Sequence, residues 1–155
     1  QRHALGGRAD LPVRVERRPQ RGGRAFRRRL PRRPEQGHAA NAKDLFAQWY
    51  KREAKEKIGG RVHYFSNRLQ LFPKGLKITS AKYRWGSCSR DNRLSFSWRL
   101  IMAPLSVIDY VLIHELVHIK EKNHSKRFWN SLEAILPDYR KHRLWLKENG
   151  HRLWL

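Results

Sequence analysis

Apolar positions divide the chain near residue 40. Before that point, stretches such as "RPQRGGRAFRRRLPRRP" hold little that could be buried, although "LPVRV" could form a short strand. After it, apolar residues recur first at helical and then at alternating spacing. "NAKDLFAQWYKREAKEKI" sets Leu45, Trp49 and Ile58 near one helical face, with Asn41 as N-cap. Gly59 and Gly60 predict an interruption, after which "RVHYFSNRLQLF" resumes the pattern through Val62, Phe65 and Leu69. Pro73 and Gly75 mark a turn. "LKITSAKYRWGSCS" reads as a strand, residues 89–92 as a turn, and "RLSFSWRLIMA" as a second strand with Leu94, Phe96 and Trp98 alternating. The pair predicts an antiparallel hairpin.

Pro104 closes this region. "LSVIDYVLIHELVHIKEK" carries the strongest helical signal, with Ser106 as a cap and an apolar stripe of Ile108, Leu112, Leu116 and Ile119. Ser125 is placed to cap a further helix that stops at Pro137, and a last helix ends at Asn149-Gly150. Phe128, Trp129, Trp145 and Trp154 are the expected helical core. Helix, strands, then helices predict an α+β fold, with a small antiparallel sheet packed by helices.

Composition changes this picture mainly at the ends. Residues 1–40 hold twelve arginines and no lysine, with five glycines and four prolines. That mixture predicts a disordered or divergent segment, either a solvated tail or an arm for nucleic acid, ahead of a folded domain over 41–155. The net charge of +22 draws the protein toward polyanions without conferring specificity. A single cysteine, Cys88, excludes an intrachain disulfide. No apolar run approaches the roughly 18 residues of a membrane span. A soluble cytoplasmic protein is the expectation.

The chemistry concentrates in "HELVHIKEKNH" at residues 114–124. His114 and His118 are four residues apart, so on a helix both imidazoles can face one cation. Glu115 lies too far around the helix to join them comfortably as a ligand, but it can take a proton from water beside the metal. This is the H-E-x-x-H arrangement of zinc hydrolases, in which zinc lowers the pKa of its water toward about 7. Two histidines on an apolar helix need partners, and a metal supplies one. The bland reading is histidines satisfied by ordinary hydrogen bonds. A catalytic zinc calls for a third protein ligand, and His124, Glu133, Asp138 and His142 compete for that place. His124 reaches the metal only if the helix ends first, with Asn123 turning the chain in a left-handed conformation.

"YRWGSCS" predicts a strand facing the substrate near the metal through Arg84, Trp85, Gly86, Ser87 and Cys88. The competing reading puts Trp85 and Cys88 in the hairpin core. Tyr139 and His142 are candidate donors to a developing oxyanion. Zinc-dependent hydrolysis of a peptide or protein is the favoured function. A phosphoanhydride (nucleotide) hydrolase and a basic nucleic-acid-binding protein with a structural metal are the other classes.

Several motifs in order carry a family resemblance: "RWGSCS" at 84–89, "WRLIMAP" at 98–104, "IDYVLIHELVHI" at 108–119, "NHSKRFW" at 123–129 and "PDYRKHRLWLKENG" at 137–150. Residues 41–155 resemble the YgjP-like metallopeptidase domain, related in pattern to SprT-like and WLM domains. The resemblance implies a zincin-like fold, one zinc ion, His114, His118 and His124 as ligands and Glu115 as catalytic base. Ser97 departs from the asparagine common in that family, the double glycine at 59 and 60 is unusual for it, and residues 1–40 carry no resemblance.

Overall fold

The computed structural model describes residues 36–153 of the 155, with side chains from residue 41. The arginine-rich segment up to residue 35, including "LPVRV", and Trp154 lie outside the described residues.

Helix α1 runs unbroken over Gln36–Leu69, so Asn41 sits inside it and is not its cap. The double glycine does not interrupt it. Each helical glycine costs about 1 kcal/mol relative to alanine, but the turns on either side bury Ala54, Ile58, Val62 and Phe65, and that burial outweighs the cost. A left-handed Gln70 ends the helix, with Leu71 N–H bonded to Ser66 O at 3.2 Å. The N-terminal half of α1 departs from expectation, since Leu45 is 65% and Trp49 48% exposed.

Among the described residues the sheet has three strands, β1 (Gly75–Thr79), β2 (Gly86–Cys88) and β3 (Arg93–Ser97), in the order β1-β3-β2. The predicted hairpin exists as β2 and β3, antiparallel around a turn whose Asn92 is left-handed. The expected first strand, however, is two. Its N-terminal half forms β1, which crosses over and pairs parallel with β3, so the sheet is mixed and not purely antiparallel. β3 also stops at Ser97, whose hydroxyl caps a 3-10 turn over Trp98–Met102. The alternation that predicted a longer strand ends there, because Trp98, Arg99 and Leu100 are all buried in succession within this turn.

Pairing sorts the sheet into two faces. Leu94 and Phe96 lie on the face with Gly86 and Cys88, toward the helices, and both are fully buried. Ser87, Ser95, Ser97 and Thr79 share the opposite face.

Helix α2 (Leu105–Val117) is the centre of the core, with Ile108, Leu112 and Leu116 fully buried. It is shorter than predicted, with His118 as its C-cap. Helix α3 (Lys126–Ile135) starts as expected, Phe128 N–H donating to Ser125 Oγ at 3.4 Å. Helix α4 (Tyr139–Asn149) completes the set. Among the described residues no helix is long and apolar enough to cross a membrane.

One ion pair ties α1 to α2. Arg61 donates from Nε and Nη2 to the two oxygens of Asp109 at 2.9 and 2.6 Å. Both side chains are partly solvated, at 32% and 17% exposure, which limits its worth. Asp109→Ala is expected to lower the unfolding free energy by about 1–2 kcal/mol, measured by urea denaturation.

Candidate metal centre

His114, Glu115 and His118 occupy the last turn of α2 and its cap, each at most 8% exposed. The helix stops where His118 caps it, and backbone bonds from Lys120 and Glu121 to Val117 O close the end at 3.1 and 3.0 Å. The chain then returns so that His124 meets its predecessors. Its Nε2 lies 3.1 Å from His114 Nε2 and 3.0 Å from His118 Nε2. The reversal happens earlier than the sequence predicts, and Asn123 is not left-handed, since among the described residues only Gln70 and Asn92 have positive φ without being glycine. "IKEK" is therefore turn and loop, not the end of the helix.

Three imidazole nitrogens so close together fit a cation. A tetrahedral ion at about 2.0–2.1 Å from each nitrogen would hold them about 3.3 Å apart. The protonation state fits as well. Burial pushes His114 well below the ordinary histidine range, aided by His118, His124 and Arg143. Burial also lowers His118, against a raising hydrogen bond to Glu121. His118 Nδ1 lies 2.8 Å from the Glu121 carbonyl, which can only accept, so Nδ1 carries the proton and Nε2 keeps its lone pair. The first turn of α3 packs these rings. Phe128 stacks on His118 at 4.4 Å between centroids, and Trp129 stacks on His124 at 5.7 Å.

The other three residues considered for the third position lie elsewhere. The grouping of metal-binding side chains among the described residues contains only the three histidines. Glu133 pairs with Arg140 at 3.4 Å, and Asp138 with His142 Nε2 at 3.2 Å.

Glu115 is 1% exposed, and its Oε1 has no hydrogen-bond partner among the described residues. Burial raises its carboxyl to about 8, with the Arg84 guanidinium pulling the other way. β2 passes directly against it. A methyl group on Gly86 would lie 2.9 Å from Glu115 Cγ and from two Phe96 ring carbons, so only glycine lets the strand come this close.

The remaining predicted residues divide. Arg84 is exposed, and Ser87 and Cys88 are half-buried. Trp85 does not face outward, being 2% exposed, and the start of the last 3-10 turn at Gly150 packs on its indole. It is a core residue. Burial raises the Cys88 thiol, and Cys88 does not join the histidines. Tyr139 is buried and stacks on Trp129 at 5.4 Å, while His142 Nε2 is engaged by Asp138. Each ring lies one ring away from the histidines, Tyr139 through Trp129, which stacks on His124, and His142 through Tyr110, whose ring meets His114 edge-on at 5.9 Å.

Two residues absent from the predicted site are near it. Arg143 lies over the Trp129 ring at 5.1 Å and acts electrostatically on His114. Lys122 Nζ donates to Ser89 O at 3.2 Å and to Asn92 Oδ1, clasping the β2–β3 turn to the loop that carries His124. No local motif marks Lys122, because its partners are 30 or more residues away.

Two outcomes follow. His124→Ala is expected to keep its fold and lose bound zinc, read by elemental analysis, and zinc retained at the wild-type level would exclude His124 as a ligand. Gly86→Ala is expected to cost about 1–3 kcal/mol in denaturant melts, because neither the Phe96 ring nor the Glu115 stem can retreat from a packed interior.

The model of the YgjP-like metallopeptidase domain matches residues 3–149, reaching into the arginine-rich segment where the sequence motifs carried no resemblance. UTP pyrophosphatase of Escherichia coli (strain K12) is 28% identical over 95 residues, which is 61% of this chain and 51% of that protein. The chain thus matches about half the length of this curated relative. The metallopeptidase zymogen of Pyrococcus abyssi, abylysin, aligns at 21% identity and a TM-score of 0.49, covering 56% of this chain and 87% of that one. With a family model spanning nearly its whole length, the chain belongs to the YgjP-like metallopeptidase domain family.

Proposed function

We propose that the protein is a zinc-dependent hydrolase of peptide bonds, with His114, His118 and His124 holding the metal and Glu115 acting as general base. The convergence of three histidine Nε2 atoms beside a buried, unpartnered carboxylate carries this reading. A zinc ion held by the three histidines would supply a Lewis acid and would lower the pKa of water toward about 7. Glu115 takes a proton from the attacking water and passes it to the leaving nitrogen as the carbon–nitrogen bond breaks. Burial raises the Glu115 carboxyl, and a cation held by the histidines would draw it back down, toward the range in which one carboxyl can take a proton and return it.

The peptide as substrate is supported by β2. Ser97 N–H bonds to Trp85 O, and Ser89 N–H to Arg93 O, both at 2.9 Å. In an antiparallel ladder the intervening Gly86 and Cys88 turn their backbone groups away from β3. Among the described residues β2 is an edge strand, so an extended chain could pair with it beside Glu115.

Phosphoanhydride hydrolysis is the second reading. It is favoured by Arg84, a guanidinium beside the site that makes no hydrogen bond or ion pair with a described residue, and by the name of the E. coli relative, a UTP pyrophosphatase. The same residues would serve, with the proton passing to a phosphate oxygen.

Glu115→Gln is expected to keep fold and zinc while turnover falls by at least about a hundredfold. Full activity in that variant would end the mechanism. Incubating the wild type with casein and, separately, with UTP separates the two bonds.

A further inference from the structure

We infer that the hollow on the polar face of the sheet, across β2 from Glu115, is a subsite for an oxyanion carried by the substrate. The cavity is about 240 Å³ and open to solvent. Its polar lining is Thr79, Ser87, Ser95 and Ser97 together with Arg84, and among the described residues no carboxylate lines it.

These groups are not equivalent. Thr79 and Ser97 are committed to the fold. Thr79 Oγ1 donates to Phe96 O and accepts from Ala81 N–H, and Ser97 Oγ donates to Ala81 O at 2.7 Å. They hold the turn after β1 that walls the cavity. The side chains of Ser87, Ser95 and Arg84, by contrast, make no hydrogen bond to any described residue. Ser87 and Ser95 face each other across the β2–β3 ladder, so their side chains emerge together on one face. Two hydroxyls and a forked cation suit a phosphate or a carboxylate, each able to accept a bidentate pair from arginine. An apolar group there would leave all three without partners.

Position links this cavity to the chemistry. Gly86 lines it and also abuts Glu115, so the cavity and the buried carboxylate meet across one glycine of β2. An oxyanion in the cavity would anchor a substrate whose scissile bond lies on the Glu115 side of the strand. The inference rests on the hydrolase reading for what the anchored group does. Binding itself requires no turnover, so the two fail separately.

The test is a titration of inorganic phosphate, and separately acetylglycine, into the zinc-loaded full chain, followed by NMR shifts. Shifts at Ser87 and Ser95 are expected, with an affinity about tenfold weaker in Arg84→Gln and intermediate in Arg84→Lys. Arg90→Gln, in the hairpin turn outside the lining, is expected to bind as the wild type does. Tighter phosphate binding supports a phosphorylated substrate in the subsite, and tighter acetylglycine binding a peptide carboxylate. Equal affinity in Arg84→Gln, or an equal loss in Arg90→Gln, would overturn the inference, the latter by assigning the binding to general positive charge.

Discussion

A carboxyl and two imidazoles are buried in the last turn of an otherwise apolar helix, and most of the structure follows from making that tolerable. Ile108, Leu112 and Leu116 place α2 in the core, which takes His114, Glu115 and His118 out of water with it. Burying such groups costs several kcal/mol unless they are neutralised or paired. The protein neutralises them, lowering the histidines and raising the glutamic acid. Three imidazole nitrogens drawn together, two pairs of them at about 3 Å, make a poor hydrogen-bonded cluster and a good metal cradle.

The surrounding elements serve that cluster in distinct ways. The early end of α2 is essential, since a helix continued through Lys122 would carry His124 around to the wrong side. His118 does two jobs at that end, capping the helix and fixing its own tautomer on Glu121 O. The loop to His124 is then held from both sides, by the stacked rings of α3 and by Lys122 on the hairpin turn. Gly86 brings the sheet against the catalytic candidate from the opposite direction. The pieces come from separate parts of the chain, so the site is pre-formed only once the whole domain has folded.

Much of this was legible in the sequence where the signal is local. Helical period marked α2, α3 and α4, a serine marked the start of α3, and spacing four residues apart marked His114 and His118. What was not legible depends on distant partners. The double glycine looked like a break because propensity cannot register that Ile58 and Val62 beside it are buried. One strand-like stretch became two strands because the parallel pairing of β1 with β3 is a long-range choice. Trp85 was undecided between core and substrate until the 3-10 turn starting at Gly150, some 65 residues later, packed on it. His124 depended on a chain reversal that the sequence placed at the wrong residue.

The two faces of β2 bear on the substrate question from different directions. Its backbone edge at Gly86 and Cys88 can accept any extended chain, because main-chain pairing is indifferent to side chains. Its serine face and Arg84 are selective, because a guanidinium and two uncommitted hydroxyls reward an oxyanion and penalise an apolar group. A general peptidase needs only the edge. A nucleotide hydrolase needs only the pocket. A peptidase that prefers acidic residues or a terminal carboxylate uses both at once. Conservative change at Arg84 therefore separates these cases more sharply than any change at the metal, where all of them share the same three histidines and the same glutamate.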